Sequence, residues 1–261
     1  MKRIGIIGFG NMGSALAIGL AGGDFSILIS EKKKKLADLA SADYDFEVIS
    51  AKKELVETAD IVVLAVKPQE LDELYADLKG CCTGKLLISI IAGRSTSQLL
   101  DRTGAKAVAR FMPNLAAKER KALVGVSFSD SCDAAFKKDC LAIAAAIGLP
   151  CEVPESLMPA ITGLSGSGIA FVFAFFHAMA LGGVKTGITY TQALEITLQV
   201  VEGAVAVIKK SGDNPMVWLS RVISPAGTTI QGIAELERTG FTHSVMKAVE
   251  LAAQKAAAME S

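Results

Sequence analysis

One stretch near the start of the chain constrains its fold more than any other: "GIIGFGNMGSALAIGL", residues 5–20. An apolar run leads into three spaced glycines and then into an apolar-periodic segment, which predicts strand, turn and helix. In such a loop Gly8 permits the tight turn, Gly10 lets the backbone approach a pyrophosphate, and Gly13 allows the helix to pack closely on the strand. The start of the helix then presents free N–H groups to phosphates. The motif predicts a dinucleotide site, the alternative being an ordinary turn between strand and helix.

Short β-branched runs continue this pattern to about Pro150. Five of them, separated by polar helix-like stretches, are "RIGIIG", "FSILIS", "DIVVLAV", "KLLISII" and "KAVARF". Strands that alternate with helices predict βαβ units and a parallel sheet. After "GLPCEVPES" the chain is rich in Ala and Leu at helical spacing, and prolines mark the change. The predicted fold class is α/β, with a Rossmann-type dinucleotide-binding domain over residues 1–153 and an all-α C-terminal domain over residues 154–261.

The charge balance narrows the choice of ligand. The chain has 27 basic and 27 acidic residues, so no net charge draws it to nucleic acid, an anionic membrane or an acidic partner. A small neutral or zwitterionic molecule fits better. Five cysteines without a CxxC pair and two histidines, His177 and His243, do not form a metal-binding pattern, so we predict no metal. The first apolar run is too short and too glycine-rich for a signal peptide, which predicts a cytoplasmic protein.

The most apolar segment is "GIAFVFAFFHAMALGG", Gly168 to Gly183. It is too short to span a bilayer as it stands. A helix that is apolar on nearly every side needs cover all round, and a second copy of the chain supplies it. We therefore predict a homodimer.

The end of the second predicted strand bears on the choice of coenzyme. The sequence there is "ILISEKKKKL", which offers Ser30, Glu31 and four successive lysines. An acid at this place would hold a ribose 2′-hydroxyl and favour NAD, whereas Ser30 and the lysines would suit a 2′-phosphate. Because Ser30 occupies the strand end, we predict NADPH as the coenzyme, with NADH as the alternative.

Two further strand ends lie at the carboxyl edge of the predicted sheet, where ligands bind in open α/β folds: "LAVKPQ" and "SIIAGRS". Pro68 removes a donor and starts a helix. Ala92 and Gly93 leave room for a flat ring to approach the backbone. Plain turn chemistry explains both stretches equally well.

A second helix start, "SPAGTTIQGIAELE", occurs late in the chain at residues 224–237. Small residues before an apolar-periodic helix leave backbone N–H groups free to point at a carboxylate, and the helix dipole adds its positive end. Gly227, Thr228 and Thr229 are the candidate contacts. The alternative is a helix N-cap with a proline turn.

These motifs, together with "RFMPN" and "ITGLSGSGIAF", resemble the pyrroline-5-carboxylate reductase family in order, spacing and type over nearly the whole chain. The resemblance implies NAD(P)H-dependent reduction of 1-pyrroline-5-carboxylate to L-proline, the last step of proline biosynthesis. It also implies that the C-terminal domain binds the substrate and forms a homodimer, from which larger rings assemble. The implied partner is a cyclic imino acid.

The resemblance also places site residues. Cofactor contacts fall on the loop Gly8, Phe9, Gly10, Asn11, Met12 and Gly13, on Ser30, on Ala65, Val66, Lys67 and Pro68, and on Ala92 and Gly93. Substrate contacts fall on Glu155, Gly227, Thr228 and Thr229. Of these, Thr229 is the candidate donor of a proton or ordered water to the imine nitrogen, and Glu155 the candidate group that favours the cationic imine.

Several residues depart from the family pattern. Leu115 and Ala116 replace a threonine and a proline, Ile169 and Phe171 replace a proline and a tyrosine, Ala226 replaces a glycine, and Arg221 and Lys52 replace asparagines. These changes keep two alternatives open. One is a β-hydroxyacid dehydrogenase-like oxidoreductase, although no lysine stands in the first turns of the helix after "SGSG". The other is a catalytically silent NADP-binding sensor.

Overall fold

The structure is a computed structural model that describes residues 1–260. Contacts divide it into two compact units. The β-sheet unit comprises Met1–Ser167 and the chain from Glu250 onward, and the helical unit comprises Gly168–Val249. This division falls later than the predicted boundary at Val153, because the segment beyond Val153 packs on the sheet: a Cβ on Gly125 would come within 2.6 Å of Ile161 Cγ2. The division into functional domains stays a prediction.

Eight strands form one sheet in the order β3-β2-β1-β4-β5-β6-β7-β8. They are β1 (Lys2–Ile7), β2 (Phe25–Ser30), β3 (Glu47–Val48), β4 (Ile61–Leu64), β5 (Leu86–Ser89), β6 (Ala107–Met112), β7 (Ala122–Phe128) and β8 (Gly148–Glu152). The first six follow the Rossmann strand order and are parallel. The five runs predicted as strands form β1, β2, β4, β5 and β6.

One strand departs from the predicted parallel arrangement. β7 runs antiparallel to β6, while β8 returns parallel to β7. The connection between β6 and β7 carries only a short 3₁₀ helix, Leu115–Glu119, and a parallel crossover needs a longer connection.

Seven helices accompany the sheet, and four lie wholly in the helical unit, with a fifth that begins there. The helices are α1 (Asn11–Leu20), α2 (Lys34–Tyr44), α3 (Lys52–Thr58), α4 (Leu71–Asp77), α5 (Thr96–Thr103), α6 (Ala134–Ile147), α7 (Met158–Ile161), α8 (Gly168–Lys185), α9 (Tyr190–Ser211), α10 (Pro215–Val222), α11 (Thr228–Arg238) and α12 (Phe241–Ala258). No strand follows β8 among the described residues, so the prediction that the rest of the chain is helical is confirmed.

The sheet buries both of its faces. Ile4 and Ile6 of β1 belong to one core cluster, and Ile7 belongs to the other. This alternation is the period of two expected of a strand covered on each side. The β-sheet unit therefore has a complete core of its own, which fixes the carboxyl ends of its strands.

The helical unit is different, because much of its apolar surface is exposed. α8 and α9 pack closely, since a Cβ on Gly183 would lie 2.7 Å from Ala193 Cβ. Yet Phe173 is 54% exposed and Val200 53% exposed. Two helical stretches, Glu155–Lys185 and Tyr190–Ser211, are long and apolar enough to cross a membrane, by length and composition only. The apolar segment predicted from Gly168 thus lies in a longer continuous helical stretch, and its length no longer argues against a span.

Candidate active site

The glycine loop between β1 and α1 is held by close backbone contacts. Gly8 has φ +103°, and its N–H donates to the Ser30 carbonyl at 2.8 Å. A Cβ on Gly8 would lie 2.6 Å from the Ala65 carbonyl oxygen, and one on Gly13 would lie 2.1 Å from the Gly8 oxygen. Around Gly10, in contrast, nothing lies within 4 Å of an added Cβ. The loop therefore leaves open space at the one glycine that is expected to face a pyrophosphate.

The start of α1 suits an anion. Its N-cap residue is Gly10, which has no side chain to accept a hydrogen bond from the first turn. Unsatisfied N–H groups and the helix dipole there favour phosphate. Asn11 is exposed and Met12 half-buried in this first turn, while Phe9 is buried and packs against Tyr44 and Phe46. The site fits a dinucleotide.

A cleft beside the loop is lined by six of the thirteen predicted cofactor residues: Gly8, Gly10, Ser30, Ala65, Val66 and Lys67. Its lining includes Gly8, Gly10, Ser30, Glu31, Lys32, Lys33, Lys52, Ala65, Val66, Lys67, Glu70 and Glu73. Pro68 begins a 3₁₀ helix, Pro68–Glu70, next to this lining. The structure thus brings together the glycine loop, the end of β2 and the end of β4, as parallel strands predict.

Ala92 and Gly93 follow β5 and do not line this cleft. Gly93 has φ +72°, and a Cβ on it would lie 2.5 Å from Met259 Cβ. Arg94 Nη1 also donates to the Met259 carbonyl at 3.1 Å. The C-terminal end of the chain therefore packs on the stretch that the sequence assigns to the coenzyme ring.

Glu155 lies in a buried ionic network of the β-sheet unit. Its carboxylate accepts hydrogen bonds from Thr96 N at 2.7 Å, Thr96 Oγ1 at 2.8 Å and Arg110 Nη1 at 2.8 Å. Arg110 is 2% exposed and also donates to Glu260 Oε1 at 2.6 Å. Burial raises the pKa of Glu155, but the hydrogen bonds from Arg110 and Thr96 outweigh it and bring the pKa below its ordinary value. Glu155 is therefore ionised at neutral pH.

The second predicted anion site is a turn in the helical unit. Gly227 N donates to the Ser224 carbonyl at 3.0 Å, with Pro225 and Ala226 between them. Ala226 has φ +56°, a left-handed conformation that favours glycine. α11 begins at Thr228, and its N-cap Gly227 offers no side-chain acceptor. The first N–H groups of α11 are thus available to a carboxylate, with Thr228 exposed and Thr229 half-buried beside them.

Of the other departures from the family pattern, Ala116 and Arg221 have local partners. Asn114 Nδ2 donates to Ser165 Oγ at 3.2 Å, next to the exposed Leu115. The guanidinium of Arg221 lies 4.4 Å from the centroid of the Trp218 ring. Ala116 N donates to Asn114 Oδ1 at 3.1 Å. Nothing in the structure explains the change at Ile169 or Phe171.

Sequence reasoning missed two members of the ionic network. Arg110 is the one charged residue inside the otherwise apolar run "AVARF", and that signal could have marked it as a buried charge with partners. Glu260 gives no local signal, because its role depends on where the chain end packs. Of the two histidines, His177 Nδ1 lies 3.0 Å from Tyr190 Oη, a contact within the helical unit.

A Rossmann sheet with an open glycine loop is typical of dinucleotide-binding proteins, the class to which this chain's geometry points. Two family descriptions match the chain: "NADP oxidoreductase coenzyme F420-dependent" over residues 3–93 and "Pyrroline-5-carboxylate reductase dimerisation" over residues 155–259. A pyrroline-5-carboxylate reductase of Aquifex aeolicus is 34% identical over 97% of this chain and 96% of that protein. One of Methanosarcina acetivorans is 39% identical over 97% of this chain and 96% of that protein.

Solved structures with the same fold carry the same family name. A Plasmodium falciparum pyrroline carboxylate reductase with NADP bound has a TM-score of 0.93 and 29% identity, covering 100% of this chain and 98% of that one. A 1-pyrroline-5-carboxylate reductase of Streptococcus pyogenes has a TM-score of 0.92 and 29% identity, with 98% of each chain covered. The chain belongs to the pyrroline-5-carboxylate reductase family. It is accordingly an NAD(P)H-dependent oxidoreductase, and its dimerisation segment supports homo-oligomerisation.

Proposed function

We propose that this chain reduces 1-pyrroline-5-carboxylate to L-proline with NAD(P)H, the last step of proline biosynthesis. The observation that carries the proposal is the start of α11, where a glycine N-cap leaves backbone N–H groups for a carboxylate. The relatives that cover nearly the whole chain carry the name of this reaction. A cyclic imino acid is zwitterionic when protonated, and it suits a site without an arginine clamp.

The two glycine-capped helix starts, those of α1 and α11, have separate parts in this reaction. Bound NAD(P)H supplies the hydride that C5 of the imine accepts. The start of α1 holds the pyrophosphate, and Gly8 and Gly13 keep that loop in place. The start of α11 holds the substrate carboxylate through Gly227, Thr228 and Thr229. The Thr229 hydroxyl donates toward the imine nitrogen or orders a water there, which supports protonation.

Glu155 stays a proposed residue of the substrate site, and its hydrogen-bond partners favour an electrostatic role over proton transfer. Its carboxylate already accepts bonds from Arg110 and Thr96. An ionised carboxylate with a lowered pKa is a poor proton donor, so an electrostatic role that favours the cationic imine suits it better than proton transfer. Ala92 and Gly93 stay proposed contacts of the nicotinamide half.

NADPH is the proposed main coenzyme, with NADH as a second one. Ser30 ends β2 and lines the cleft together with Lys33, which supports a preference for a 2′-phosphate. Initial rates at saturating imine measure this directly. A higher kcat/KM for NADH would contradict the preference.

The proposed assembly is a homodimer through the helical unit, or a ring of such dimers, in the cytoplasm. The apolar faces of α8 and α9 are exposed in a single chain, and the dimerisation match covers both helices. A second copy of the chain, and not a membrane, covers these faces in the proposed assembly. The neutral net charge provides no electrostatic attraction for nucleic acid. Light scattering at working concentration should show a dimer or a multiple of it; an active monomer would contradict this.

The function itself is tested by NADPH oxidation with 1-pyrroline-5-carboxylate as substrate. We expect turnover to L-proline, identified by chromatography of the product. Tight NADPH binding without turnover would favour a silent sensor instead. Oxidation of a β-hydroxyacid with NADP, without imine reduction, would favour the dehydrogenase alternative.

A further inference from the structure

The side chain of Glu31 folds back onto the glycine loop. Glu31 follows β2 directly, and its Oε2 accepts a hydrogen bond from Phe9 N at 2.7 Å. Its Oε1 accepts one from Lys33 N at 2.8 Å. Both carboxylate oxygens are thus bound to backbone N–H groups, one of the glycine loop and one just after Glu31. It is a fixed negative charge in the wall of the cofactor site, not a mobile surface group.

Two of the four lysines that line the cleft are paired with acids. Lys32 Nζ lies 3.0 Å from Glu70 Oε1 and 3.0 Å from Glu73 Oε2, and these hydrogen bonds raise its pKa. Lys52 is paired with Asp77. Among the described residues that line the cleft, these two lysines therefore already have negative partners. The cleft offers a 2′-phosphate less free positive charge than the run of four lysines indicates.

The end of the second strand is where a Rossmann fold meets the adenosine ribose. A fixed carboxylate there accepts a hydrogen bond from a 2′-hydroxyl and repels a 2′-phosphate. We propose that Glu31 sets the coenzyme discrimination of this chain: it admits NADH and reduces the advantage of NADPH. This inference rests on the proposed function, since it concerns the coenzyme of the same reaction.

Glu31→Gln tests the inference by direct binding. Glutamine keeps an oxygen to accept from Phe9 N and removes the charge. Fluorescence titration without imine should show the Kd of NADPH falling about tenfold, because a like charge is gone. The Kd of NADH should rise about fivefold, because a charge-assisted bond to the 2′-hydroxyl is lost. The ratio of the two constants is the quantity that decides.

Two further variants serve as controls. Asp38→Asn removes an exposed acid of α2 outside the cleft lining and should leave the ratio unchanged, which separates local from general electrostatics. Glu31→Asp keeps the charge and should stay closer to the parent ratio than Glu31→Gln, and thermal melting checks that each variant folds. Equal shifts for both coenzymes, or no shift in Glu31→Gln, would overturn the inference.

Imine reduction measured with each coenzyme separates this inference from the proposed function. A changed ratio of binding constants without turnover would leave the role of Glu31 standing and refute the reaction. Turnover with an unchanged ratio would refute the role of Glu31 alone.

Discussion

The starts of α1 and α11 both leave backbone N–H groups free for an anion, but the loops that precede them differ in backbone strain. Both helices have a glycine N-cap, Gly10 and Gly227, whereas α5, α6, α9 and α10 are capped by their own Ser, Asp, Thr and Asn side chains. In the first loop the positive φ falls on a glycine, Gly8. In the second it falls on Ala226, a residue with a side chain.

The loop before α1 is closely packed by its surroundings, whereas the loop before α11 contains a strained residue, Ala226. The backbone of Ala65, directly after β4, lies so close to Gly8 that only glycine fits there. A left-handed alanine costs about 1 kcal/mol, and Ala226 and its neighbours Ser224 and Pro225 are exposed. At the glycine N-caps of α1 and α11 the first N–H groups have no side-chain acceptor, so a bound anion can supply one.

The largest expected effect comes from a methyl group in the first loop. Gly13→Ala puts a Cβ 2.1 Å from the Gly8 oxygen, so the loop must shift. NADPH binding should weaken by at least about a hundredfold in a fluorescence titration, which corresponds to about 2.7 kcal/mol. Unchanged NADPH affinity would refute the packing role of Gly13.

Gly10→Ala is the matched partner of that variant. Its Cβ meets no protein atom within 4 Å, so the free energy of unfolding should change by only about 0.5 kcal/mol. The methyl group would still occupy the space expected for the pyrophosphate, and NADPH affinity should fall. A lowered affinity with near-normal stability would thus locate the ligand, whereas normal affinity would place it elsewhere.

In the second loop, Thr229→Val should lower kcat/KM for the imine by about ten- to a hundredfold, because a charge-assisted hydrogen bond worth about 1.5–3 kcal/mol is lost. NADPH affinity should stay the same, since Gly8, Gly10 and Gly13 are untouched. Thr229→Ser keeps the hydroxyl and should retain most of the activity. Full activity in Thr229→Val would show that the motif binds through its backbone alone, and loss of NADPH binding would show that the two loops do not have separate tasks.

A variant outside both loops, Glu155→Gln, tests how much an ion pair of the β-sheet unit contributes to stability. Glu155→Gln weakens a bond to the buried Arg110 and should lower the free energy of unfolding at pH 7 by about 1–3 kcal/mol. Because the folded-state pKa of Glu155 is lowered, its stabilisation is present above the ordinary value of 4.5 and is lost as the pH falls through the folded-state pKa.

Denaturant titrations across the acid range measure this dependence. The gap between parent and Glu155→Gln should narrow as the pH falls below about 4.5. Glu152→Gln, an exposed acid on β8, should change little at any pH. A gap that does not vary with pH would contradict the assignment to ionisation of Glu155.

The smallest expected effect is an increase in the free energy of unfolding. Ala226→Gly removes the left-handed alanine, and after the entropy of the added glycine is counted it should stabilise the fold by about 0.5 kcal/mol or less. Ala204→Gly, in the middle of α9, should instead cost about 1 kcal/mol. Thermal melting of the two variants compares them directly. If both were destabilised alike, the strain at Ala226 would be ruled out.

The sequence predicts what periodicity and glycine spacing encode. Alternating runs predicted five strands of the Rossmann order, and Gly8, Gly10 and Gly13 predicted the loop that the structure contains. The antiparallel β7 was not predicted, because an alternation pattern carries no strand direction. The substitution at Ala226 was visible, but its positive φ depends on the geometry of the turn.

The missing parts of the candidate site are contacts between residues far apart in the chain. Arg110 joins Glu155 and Glu260, at sequence separations of 45 and 150 residues. Glu31 was one of two options for the ribose, and only its bonds to Phe9 N and Lys33 N distinguish a fixed charge from a solvated one. No local pattern contains such pairings.

The contacts of the chain end carry a consequence for synthesis. Met259 packs on Gly93 and Glu260 pairs with Arg110, so the β-sheet unit includes residues that are synthesised after the whole helical unit. Domains that emerge early generally fold as units during translation. Here Arg110 lacks one of its two carboxylate partners until Glu260 has been synthesised. Truncation after Ala258 would keep every residue of the helical unit and still remove contacts from the β-sheet unit.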